Sequence, residues 1–152
     1  MEHHGEQSLN RVAFSATVHC LTGCAIGEVL GMVIGTALDW ANGETIVLSI
    51  ALAFLFGYSL TMLPLLRGGV ALAAAIPVAF AADTISIAIM ETVDNGFVVF
   101  VPGALAAGLD DGLFWWSLAL SLVLAFVAAF PANRWLIARG RGHAVVHAHH
   151  AH

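Results

Sequence analysis

The feature that most constrains this chain is a largely apolar stretch from Val12 to Leu38, which is long enough to cross a lipid bilayer. It has 27 residues between Arg11 and Asp39, and a transmembrane helix needs roughly 20. The stretch is too long for a signal-peptide core, and no small-residue cleavage site follows it. We therefore predict a retained transmembrane helix.

Two rows of residues recur at every fourth position within this stretch. Positions four apart share one side of a helix. Glycines at this spacing allow another helix to approach closely, so we expect the glycine row to pack against the third helix or against a second copy of the chain. The rows are Gly23, Gly27, Gly31 and Gly35, and beside them Cys20, Cys24, Glu28 and Met32.

The composition indicates a membrane protein of one domain. Of 152 residues, 60% are hydrophobic and 10% are charged, and the mean hydropathy is +0.90; these values lie outside the range of soluble proteins. Five arginines against ten acidic residues give a net charge of −5, which argues against a nucleic-acid partner. Both cysteines lie in one predicted helix, so a disulfide framework of the secreted kind is excluded.

Three further apolar segments complete an all-α, four-helix transmembrane bundle. The predicted spans are residues 12–38, 46–66, 70–93 and 113–133, within a membrane domain of residues 12–135. A polar tail, residues 1–11, precedes this domain, and a His-rich tail, residues 136–152, follows it. Residues 96–112 are apolar but short, and Pro102 and Gly103 interrupt them. We predict an interfacial or re-entrant loop there, because a full crossing needs roughly 20 residues.

The distribution of charge predicts the topology of the four spans. All five arginines fall on one side of the membrane, whereas the acidic turns at Asp39, Glu44, Asp110 and Asp111 fall on the other. Basic loops are retained in the cytoplasm. We therefore expect both termini of this multi-pass protein to be cytoplasmic.

Two acidic residues inside the spans are the first candidates for function. Glu28 lies midway along the first span, and Asp83 lies about thirteen residues into the third span, which enters from the same side. Ionisable groups at such depth are costly and are commonly functional. We expect the two carboxyl groups to face each other at similar depth. Alternatively, Glu28 is a protonated packing residue, and Asp83 caps a helix break introduced by Pro77.

Soft ligands accompany these acids. Cys20 and Cys24 can offer two thiolates to one soft ion, with Cu(I) favoured, although buried cysteines also serve as small apolar residues. Ordered from the outside inwards, the predicted metal path is Asp94, Glu91, Met90 and Met32, then Glu28 and Asp83, then Cys24, Cys20 and His19. Weak exchangeable sites across a bilayer are what an ion pathway requires.

The C-terminal tail is rich in histidine, which binds transition metals through neutral imidazole. We predict cytoplasmic metal capture there; a disordered solubilising tail and a remnant of expression tagging are the alternatives. The residues are His143, His147, His149, His150 and His152.

Three blocks of sequence resemble a bacterial family of small four-span integral membrane proteins of unknown function. They are HCLTGCAIGEVLGM in the first span, SIAIMETVDN in the third, and PANRWLIARGRGHAVVHAHH at the end. Members of that family are often found in copper-related settings, so the resemblance implies metal handling in a bacterial inner (plasma) membrane. It implies no catalytic residue.

We therefore predict a membrane protein, not an enzyme, that binds and translocates a soft transition-metal cation, copper being favoured. The alternatives are a proton or small-cation conduit using Glu28 and Asp83, a redox protein of the thiol, quinone or haem type, and an accessory subunit. The expected cofactor is Cu(I) or another transition-metal ion, with neither haem nor nucleotide. The expected partners are membrane lipid, further copies of the chain and a metal-handling protein.

Overall fold

The computed structural model describes residues 2–139, with side chains from residue 5 onward. It contains four long helices, each apolar and long enough to cross a membrane. This confirms the prediction of an all-α protein with four membrane-spanning helices. The helices are α1 (Glu2–Ala37), α2 (Asn42–Arg67), α3 (Leu72–Phe100) and α4 (Gly112–Ala138), with a 3₁₀ turn at Ala104–Ala106. The histidines of the C-terminal tail lie outside the described residues.

The N-terminal segment differs from the prediction of a polar tail. Residues 2–11 continue α1 as helix, and Leu9 of α1 and Phe130 of α4 both pack against a buried cluster that contains Ile137. On the polar side of this segment, Arg134 Nε donates a hydrogen bond of 2.6 Å to Asn10 Oδ1. The predicted polar tail therefore includes the first turns of α1, which have a partner in the last turns of α4.

The segment between α3 and α4 also begins later than predicted. Residues 96–100 are helical, and α3 ends immediately before Val101 and Pro102. The residue before a proline is disfavoured in helical conformation, and Val101 is extended, with φ −83° and ψ 116°. Gly103 then takes the left-handed conformation at φ +83°, which glycine adopts without strain. Ala104 is buried, so this segment packs back onto the bundle.

The glycine row of α1 packs against α2, which runs antiparallel to it. A Cβ added at Gly23 would lie 2.8 Å from Gly57 Cα, and one added at Gly27 would lie 2.5 Å from Ala53 Cα. Both distances are too short for real atoms. The four paired positions, each at every fourth residue, are Gly23 with Gly57, Gly27 with Ala53, Gly31 with Ser49, and Gly35 with Thr45. The expectation that this row meets α3 or a second copy of the chain is therefore corrected.

The second row of α1, which begins at Cys20, faces α3. Neighbouring residues are about 100° apart on a helix, so the two rows of α1 meet two different helices. Cys20, Cys24, Ile87 and Met90 form a buried cluster that is completed by small residues of α4. Many of the large apolar side chains point outward, as Phe100 (86% exposed) and Trp116 (77% exposed) illustrate. The surface is consequently apolar, and the interior contains many small and polar side chains beside buried residues such as Leu65 and Ile87.

Candidate functional site

Polar side chains meet between α1 and α3 at three successive levels, which we name by their residues. At the Cys20–Asp83 level, the Cys20 thiol donates a hydrogen bond of 3.4 Å to Asp83 Oδ1. Both side chains are buried. The Thr61 hydroxyl of α2 and His19 of α1 also interact electrostatically with this carboxyl group. Asp83 thus has polar neighbours from two helices besides its own.

The Cys24–Met90 level lies one turn further along α1. Cys24 Sγ is 4.0 Å from Met90 Sδ, and both residues are almost completely buried. The Glu91 carboxyl group interacts electrostatically with the same thiol, and Asn95 Nδ2 donates a hydrogen bond of 3.2 Å to Glu91 Oε2. This level therefore combines a thiol, a thioether and a carboxyl group.

The Glu28–Asp94 level follows after another turn of α1. The two carboxyl groups lie within hydrogen-bonding reach of each other, and Asp94 also accepts a hydrogen bond from Ser121. Glu28 Oε1 has no hydrogen-bond partner among residues 5–139. Two carboxylates at this separation repel each other unless a proton or a cation lies between them. Met32 lies one turn beyond Glu28, in the wall of a cavity described below.

The expected pairing of Glu28 with Asp83 is corrected by these contacts. Asp83 meets Cys20 and Glu28 meets Asp94, so α1 and α3 run parallel with a fixed register. Eight residues separate Cys20 from Glu28, which corresponds to about 12 Å along a helix. Counting residues from the start of each apolar segment misplaces Asp83, because the two helices begin at different heights in the bundle.

A second polar contact joins three helices and was not predicted. Asn133 Nδ2 of α4 donates to Thr17 Oγ1 of α1 and to Ser86 Oγ of α3, each at 3.0 Å. All three side chains are buried. The sequence does contain a signal for this contact. Asn133 is the last of five α4 residues spaced four apart, and the other four are small: Ser117, Ser121, Ala125 and Ala129.

The donor groups limit how a metal ion could be held. Within the described part of the chain, no three His, Cys, Asp or Glu side chains converge on one point. An ion bound between α1 and α3 would therefore need a methionine sulfur, a hydroxyl group or water among its ligands. The Cys24–Met90 level offers such a set, because Met90 supplies a methionine sulfur in addition to the thiol and the carboxyl group.

Four apolar helices around a buried polar line define a small multi-pass membrane protein. The family described as Domain of unknown function (DUF4396) matches residues 9–142. That range covers most of the 152 residues, and the chain belongs to this family. The resemblance to small four-span membrane proteins of unknown function is confirmed to that extent. No match was found among curated proteins or among solved structures.

Proposed function

We propose that this protein binds a soft transition-metal cation, copper being favoured, and translocates it along the line between α1 and α3. The observation that carries the proposal is the 4.0 Å separation of Cys24 Sγ and Met90 Sδ in the interior. Thiolate and thioether are the ligands that select Cu(I). The bacterial inner membrane, with both termini cytoplasmic, is the setting we propose.

The sulfur separation suits a shared ion. A metal–thiolate bond is about 2.3 Å long, as for zinc, and two such bonds to atoms 4.0 Å apart enclose an angle of about 120°. That angle leaves one side of the ion open to a third ligand. Glu91, which acts on the Cys24 thiol, is the candidate for that position and supplies negative charge.

Movement of the ion is supported by the spacing of the three levels. Cys20, Cys24 and Glu28 follow one another at four residues, which is about 6 Å along the helix. Each level carries at least one acid, and none has a complete ligand shell of acids, cysteines and histidines. Sites of this kind can release an ion as well as accept it. His19 and Met32 would extend the line at its two ends, and the C-terminal histidines would concentrate metal in the cytoplasm.

The test compares two methionines that differ in their surroundings. Met90→Leu removes a sulfur from the Cys24–Met90 level, whereas Met62→Leu removes one that packs beside Leu65 and Ala75. We expect Met90→Leu and Cys24→Ser each to lower the Cu(I) affinity of the sulfur site at least tenfold in competition titrations with a chromogenic chelator. Met62→Leu should change it less than twofold.

The full chain is used in every sample, so binding by the C-terminal histidines contributes equally to all of them. Flux of Cu(I) into liposomes should fall in parallel with affinity in the Cys24 and Met90 variants. Equal affinity and flux in Met90→Leu, Met62→Leu and wild type would refute the proposal.

A proton conduit is the second candidate, favoured by the direct approach of the Glu28 and Asp94 carboxyl groups. Acidic residues within transmembrane segments serve as proton relays in pumps and transporters. The double variant Cys20→Ala with Cys24→Ala separates the candidates. The proton conduit would be supported if the double variant retains proton flux in liposomes and the wild type transports no metal. Loss of Cu(I) flux in the double variant would support the soft-metal path.

A further inference from the structure

A cavity of about 70 Å³ lies beyond the Glu28–Asp94 level, at the end of the bundle that carries the α1–α2 and α3–α4 loops. All four helices line it, and Ala104 and Leu105 of the segment after α3 close it. A water molecule occupies about 30 Å³ in the liquid. The space therefore fits about two waters, or one ion that keeps part of its hydration shell.

Besides Glu28 Oε1, a hydroxyl group in the wall of this cavity is buried without a hydrogen-bond partner among residues 5–139. Ser117 is 5% exposed, and its Oγ has no hydrogen-bond partner among residues 5–139. Several other hydroxyls in these helices bond the carbonyl four residues earlier, as Thr17 does with Ala13 at 2.7 Å. A buried polar group left unpaired is destabilising. The Ser117 hydroxyl thus points to a ligand in the cavity.

The donors around this cavity differ from those at the Cys24–Met90 level. Glu28 and Asp94 offer carboxylate oxygens, and Ser117 offers a hydroxyl oxygen, while Met32 is the sulfur-bearing residue in the wall. Hard divalent cations prefer oxygen ligands. Ions such as Mg²⁺ keep several waters and bind through one or two carboxylates. The donor set matches that description, and the volume leaves room for an ion with part of its hydration shell.

We propose that this cavity binds a partly hydrated, oxygen-preferring divalent cation between Glu28 and Asp94, with Ser117 as a neutral ligand. The positive charge offsets the repulsion between the two carboxylates and ties α1 to α3. The site is distinct from the sulfur pair in position and in ligand class. Its test is therefore separate from the test of Cu(I) binding at the Cys24–Met90 level.

The test uses Mn²⁺, whose free aquo ion is counted by electron paramagnetic resonance, with the full chain in lipid nanodiscs. We expect Ser117→Ala to weaken Mn²⁺ binding about tenfold, and Glu28→Gln to weaken it more. The matched control is Asp110→Asn, which alters an exposed acid at the same end of the bundle and should change affinity less than twofold. Circular dichroism and gel filtration establish that each variant is folded.

Two results in the cavity and control variants would overturn the proposal. One is wild-type Mn²⁺ affinity in folded Ser117→Ala, and the other is an equal loss in Asp110→Asn and Glu28→Gln, which would indicate binding by surface charge. Cys24→Ser separates this site from the sulfur site, because it should retain Mn²⁺ affinity while it loses Cu(I). Loss of both ions in folded Cys24→Ser would also contradict a second, separate site.

Discussion

Gly27→Ala is the substitution that tests the packing of this bundle most directly. An added Cβ would lie 2.5 Å from Ala53 Cα and 2.8 Å from the carbonyl carbon of Leu52. Both atoms belong to the backbone of α2, so a change of side-chain rotamer cannot relieve the contact. One of the two helices must move.

The structure gives the size of that movement and its cost. Ordinary van der Waals contact begins at 3.4 Å, whereas the built Cβ lies 2.5 Å from Ala53 Cα and closer still to Ala53 N, so the helices must separate by at least about 0.9 Å. The same displacement would loosen the neighbouring contacts of Gly23 with Gly57 and of Gly31 with Ser49. Overpacking a well-packed interior costs about 1–3 kcal/mol. We therefore expect Gly27→Ala to lower the free energy of unfolding by that amount.

The assay is reversible unfolding in mixed micelles, followed by circular dichroism. Gly96→Ala is the matched control, because Gly96 is also helical but an added Cβ would meet nothing within 4 Å. This control should be neutral or stabilising by up to about 1 kcal/mol, as alanine is the better helix former. Ala53→Gly should not rescue Gly27→Ala, since the obstructing atoms are backbone. Stability of Gly27→Ala within about 0.5 kcal/mol of wild type would refute the close helix contact.

Two further substitutions, in the last turns of α4, test the polar contacts between helices. Asn133→Leu removes both hydrogen bonds, to Thr17 and to Ser86, and should lower the free energy of unfolding by about 1–2 kcal/mol in the same assay; no measurable change would mean that these bonds are replaced by water. Arg134→Ala removes an exposed ion pair with Glu6 at 3.4 Å and should cost less than about 1 kcal/mol, with an effect that shrinks in high salt. A larger loss that does not depend on salt would assign Arg134 a packing role.

Much of the architecture could be predicted from the sequence. The apolar lengths of the four segments correspond to the four helices, since any segment of that length and composition must satisfy its own backbone hydrogen bonds in lipid. The polar side of α3 could also be predicted, because Asp83, Met90 and Asp94 recur at helical spacing. All three are buried in the structure. These properties depend on residues close together in the chain.

Three features could not be read from the sequence because they depend on distant residues. The first turns of α1 read as a polar tail, and their helical packing requires Phe130 and Arg134 of α4. The glycine row was legible as a packing face, but which helix it meets depends on the matching small residues of α2. Ser117 gave no signal of its own, since only the position of the loop after α3 makes its surroundings a cavity.

The sequence by itself determined how many helices this protein has and which of their faces carry thiols, carboxyl groups and glycines, because periodicity is a property of each helix alone. The tertiary structure decided which groups meet, joining Asp83 to Cys20 and Glu28 to Asp94. The physical reason is that sliding one helix past its neighbour by a single turn, about 5.4 Å, leaves the same faces buried but changes every partner along them.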